Sequence, residues 1–142
     1  MFWIIIIVLF VVVVAAAANS SGASKAASVV QSMASMMGSE ARFREYWRFM
    51  HTELLGGALH KDQEDKFVER YLSEYLELMT QLRTVTPENV QVMLPAFAMQ
   101  SDNLDIKIAN SMSSNFGKVM SSNWKRERAQ KKFMKNVLGI RL

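Results

Sequence analysis

The chain has 142 residues and not one cysteine. That absence excludes disulfide staples, thiolate nucleophiles, iron–sulfur clusters and cysteine-based zinc sites. The core must hold the fold unaided. Histidine is almost as scarce. His51 and His60 are the two present, and Gly56 and Gly57 lie between them. A zinc-protease helix needs two histidines four apart around a glutamate, and a di-iron bundle needs paired Glu-x-x-His units. Neither spacing occurs, and histidines beside a helix break read as surface or capping residues. No nucleophile elbow, phosphate-binding loop or dinucleotide-type glycine pattern is present either. The expectation is a non-enzymatic chain with no cofactor and no metal.

Charge is missing from the start of the chain. Residues 2–18 are apolar without interruption, including four consecutive isoleucines, four consecutive valines and four closing alanines. A spanning helix takes roughly 20 apolar residues, whereas the core of an export signal takes about 7–15. Ala16 and Ala18 supply the small-residue pattern of a cleavage site before Asn19, so residues 1–18 are read as a signal peptide. The positive flank usual for such a signal is absent, since no basic side chain precedes Lys25. An uncleaved single-pass anchor through residues 2–18 is the alternative. The first reading makes the protein secreted or extracytoplasmic, and the second tethers it. Residues 19–27, rich in Ser, Gly and Ala, read as a flexible leader. Residues 28–142 then form one domain by size.

Alternation of polar and apolar residues is also lacking, so strands are not expected. The apolar residues instead recur at helical intervals. A weak first helix is predicted over 24–37, closed by Gly38. A second over 39–55 is capped by Ser39 and places Phe43, Tyr46, Trp47, Met50 and Leu54 on one face. Gly56-Gly57 breaks it. A third over 62–85 carries Val68, Leu72, Tyr75, Met79 and Leu82 in a heptad seam. Thr86-Pro87-Glu88 is a restart signal. Pro95 should kink the next helix or end it early, with a fresh start at Ser101 or Asp102 and a stripe running to Met120. A last helix is predicted over 122–138. The fold class expected is all-α: a compact bundle of five to six amphipathic helices, preceded by the apolar segment.

Two compositional biases remain. Methionine is abundant, at 11 residues, and methionine fills irregular gaps or lines adaptable surfaces. A methionine- and aromatic-lined cavity carrying small apolar ligands is therefore the alternative function. The other bias is electrostatic. Residues 118–142 hold eight basic side chains and a single acid, Glu127, within a chain whose net charge is +4. Trp124, Lys125, Arg126, Arg128, Lys131, Lys132 and Lys135 crowd the last helix. That composition suits contact with an anionic membrane surface or an acidic protein partner. The run from Arg42 to Phe49 interleaves bases with aromatics. Its aromatics fall on the face due for burial, so nucleic acid is not an expected partner.

Overall fold

The computed structural model describes residues 20–140, and the apolar stretch 2–18 lies outside them. All regular structure in the described residues is helical, with no strand among them. Six helices follow in order: α1 (Ser20–Met37), α2 (Glu40–Leu55), α3 (Lys61–Leu82), α4 (Val90–Met112), α5 (Ser114–Met120) and α6 (Asn123–Asn136).

The helix ends follow from local chemistry. Ser39 sits in an extended conformation and its hydroxyl accepts from the Arg42 amide, which starts α2. Gly56 ends that helix in the left-handed region at φ 82°, where a Cβ would be strained. Thr86 and Asn89 cap each other reciprocally ahead of α4. The Asn89 amide donates to Thr86 Oγ1 at 3.3 Å, and the Thr86 amide donates to Asn89 Oδ1 at 2.8 Å. Ser113 stops α4 and caps α5 by accepting from the Phe116 amide.

The third helix, read to 85, ends at Leu82, and the last, read to 138, ends at Asn136; three further differences bear on the packing. Helix begins at Ser20, so most of the stretch read as a leader is α1, with Ala26 and Ala27 buried. Small residues let α1 approach closely, and Gln31 Nε2 reaches the Val85 carbonyl. Pro95 does not end α4, which runs on to Met112. The ring is exposed, and Leu94, Phe97 and Ala98 on the opposite side are buried on both flanks of it. The stripe expected to run unbroken to Met120 is cut at Ser113, whose side chain favours a cap over a helix interior.

α2 runs through the centre of the aromatic core. Phe43 meets Phe67 and Tyr75 of α3 at ring separations of 5.5 and 4.5 Å, and Trp47 meets Phe116 of α5 at 5.9 Å. Tyr46 and Phe49 both meet Phe133 of α6, at 5.2 and 5.5 Å. The edge-on geometry of most of these pairs is the one ring quadrupoles favour. Among the methionines, Met33, Met37, Met50, Met79, Met120 and Met134 are buried in the same core. Tyr75 donates its hydroxyl to the Met37 carbonyl at 2.7 Å, fastening the end of α1 to α3.

Candidate functional site

Helical periodicity divides α6 into two faces. Residues 124, 128, 131 and 135 are spaced i, i+4, i+7 and i+11, so they form one stripe, with 125 and 132 beside it. Residues 126, 129, 130 and 133 form the opposite stripe. Trp124, Lys125, Arg128, Lys131, Lys132 and Lys135 are all exposed. Trp124 retains 66% of its surface, unusual for so large an apolar ring. The Arg128 guanidinium lies 5.6 Å from the centre of that ring, close enough for a cation–π contact. Lys132 pairs with Glu53 of α2 at 3.2 Å. Lys125, Arg128, Lys131 and Lys135 have no carboxylate within pairing distance among the described residues. A groove of about 300 Å³ runs between this stripe and α2, lined by Leu54, Val119, Trp124, Lys125, Arg128 and Lys132 among others.

Arg126 does not belong with this set. Its side chain is fully buried. The guanidinium donates to the Met120 carbonyl and to Asn123 Oδ1 at 2.9 Å, and it pairs with Asp102 of α4 at 2.6 Å. It therefore braces α6 against α4 and cannot meet an external anion. The spacing explains the difference: Arg126 stands three and seven residues before Ala129 and Phe133, both buried.

Beneath the basic face lies a polar seam that composition did not reveal. Gln130 of α6 is buried and donates to the Tyr46 hydroxyl at 3.0 Å and to Asp105 Oδ2 at 3.4 Å. Tyr46 donates to the same oxygen at 3.3 Å. Burial pushes the Asp105 carboxyl up to about 7, against the pull of Arg126. It also raises Asp102, again opposed by Arg126. The available signal was positional, since Asp102 and Asp105 lie three apart on α4 beside the apolar stripe of Leu104 and Ile108.

The histidines do not meet. His51 Nδ1 lies 2.7 Å from the Gly57 carbonyl and its ring packs 5.4 Å from Phe116, while His60 is exposed at the start of α3. No group of three potential metal ligands gathers among the described residues. None of the described helices is long and apolar enough to cross a membrane. No family model, curated protein or solved structure matches this chain.

Proposed function

We propose that this chain is a non-enzymatic binding protein, exported or membrane-tethered by residues 2–18, that lays the exposed face of α6 on an anionic lipid surface. The observation that carries this reading is Trp124, exposed and covered on one side by Arg128, at the head of a stripe of unpaired basic residues. An indole with one apolar body and one polar edge favours the headgroup boundary. Each basic side chain near an anionic membrane contributes about 1 kcal/mol, so the four unpaired ones supply several before any insertion of the ring. Two apolar neighbours in the groove, Leu54 and Val119, extend the surface that the ring can use.

The test is sedimentation of the full chain with vesicles, comparing anionic with purely zwitterionic lipid so that binding by the apolar amino-terminal segment cancels. Replacing Lys131, Lys132 and Lys135 with Gln should remove most of the preference for anionic vesicles, and added salt should weaken it in the unaltered chain. Equal binding to both lipids, or a triple variant that keeps its preference, rejects the proposal. An acidic protein partner becomes the better reading if the face proves indifferent to lipid charge.

A further inference from the structure

The seam between α4 and α6 contains two carboxyls and one guanidinium. Asp102 has Arg126 at 2.6 Å. Asp105 has only neutral donors, Tyr46 at 3.3 Å and Gln130 at 3.4 Å. Charge-assisted bonds to a carboxylate run at about 2.5–2.9 Å, so neither of these longer contacts supplies Asp105 with a strong donor.

No element packed around Asp105 adds a second positive charge. α2 brings Tyr46, α3 brings Tyr75, and α4 brings Asp102 itself. Both tyrosines have their hydroxyl pKa raised, first by burial and then by the charge of Asp105. α5 contributes the Met120 carbonyl, already held by Arg126. The one ionisable residue of α1, Lys25, is exposed. On top of burial, a neighbouring acid raises the pKa of the carboxyl that lacks the base, and here that carboxyl is Asp105. The seam is also short of partners. Arg126 Nε and Gln130 Oε1, one turn apart on α6, are buried with no hydrogen-bond partner in the described residues. Such groups cost stability and make the contact easy to open.

We propose that Asp105 is a proton-operated latch for α6. With the proton on, α6 lies closed over α4 and α2. Loss of the proton leaves an uncompensated charge in the seam, and α6 lifts away. Asp105 is held above its ordinary value of 3.8, up to about 7. Its contribution to closure is therefore complete below 3.8 and is lost as pH rises to 7. The latch controls how firmly the basic face is held, and it is read on α6 itself, whether or not that face meets lipid.

Hydrogen exchange of the full chain tests this, with rates corrected for intrinsic pH dependence and α3 as internal reference. Protection of α6 amides should fall about a hundredfold between about pH 5 and about pH 8. Asp105→Asn, neutral at every pH, should hold α6 equally at both. A fall of the same size in both proteins, or no fall in the unaltered chain, overturns the latch. Should the variant fail to fold, carbon-13 titration of the Asp105 carboxyl in the unaltered protein decides the matter. A midpoint above about pH 5 supports the latch, and one at or below it rejects it.

Discussion

Glu64 enters the first turn of α3 with 2% of its surface exposed, and it remains ionised because two arginines of α2 reach it. Arg48 binds both carboxylate oxygens, at 2.5 and 2.8 Å, and Arg44 adds a contact at 2.6 Å while also holding Asp65. The Arg48 hydrogen bonds, more than any other influence, keep the Glu64 carboxyl below its ordinary 4.5 despite burial. A carboxyl with a depressed pKa contributes stability above its unfolded value and loses it as pH falls through its folded one. Glu64→Gln should therefore cost about 2 kcal/mol at neutral pH, with the gap from the unaltered chain narrowing below pH 4.5. Urea midpoints of both proteins at neutral and strongly acid pH measure this. A gap that stays constant would mean that the carboxylate charge contributes nothing. Arg126 shows the converse case at residue scale. Its charge invited a place on the surface, and only its register with Ala129 and Phe133 betrays the burial.

At the scale of elements, the apolar spacing was enough to locate α2 and α3, because their stripes repeat without interruption and Ser39 and Gly56 mark the ends. Weaker stripes misled. In the amino-terminal half of α1 the residues against the core are Ala26 and Ala27, which carry little hydropathy contrast with their Ser and Gly neighbours, so that half looked like a tether. In α4 the proline spoke louder than the tertiary contacts that overrule it. Pro95 has no amide hydrogen to give to the helix ladder, and its ring is exposed to solvent. Burial of Leu94, Phe97 and Ala98 on the other side outweighs that loss. Pro95→Ala should then stabilise the protein by about 1–2 kcal/mol, below the full interior penalty for proline because the site is solvated. A thermal melt reads it as a rise in Tm, and a fall would show that the ring sets the path of the chain into α4. The exposed face of α6 was legible from spacing and composition together. The seam under it was not, because its members come from α2, α4 and α6 and share no local pattern.

Viewed as a whole, the molecule places its strongest positive charge at an end that does not favour it. α6 has no acidic residue in its first turn and no side-chain cap from Ser122, yet Lys125, Arg126 and Arg128 follow at once. A helix amino terminus already carries partial positive charge. The arrangement persists because Ala129, Phe133 and Met134 anchor the opposite side in the core. A feature that disfavours the isolated fold and suits an anionic surface sets stability against binding, and that conflict can be measured. Lys125→Glu should raise the unfolding free energy by about 0.5–1 kcal/mol through the helix dipole. The same change should weaken binding to anionic vesicles about tenfold or more, since two units of charge are reversed at the surface. Lys66→Glu, at an exposed site on α3, makes an equal change in net charge and serves as the control. If the two variants lose vesicle binding equally, overall charge and not the α6 face governs association. If Lys125→Glu loses stability as well as binding, its lysine is part of the packing, and the opposition between fold and surface does not exist.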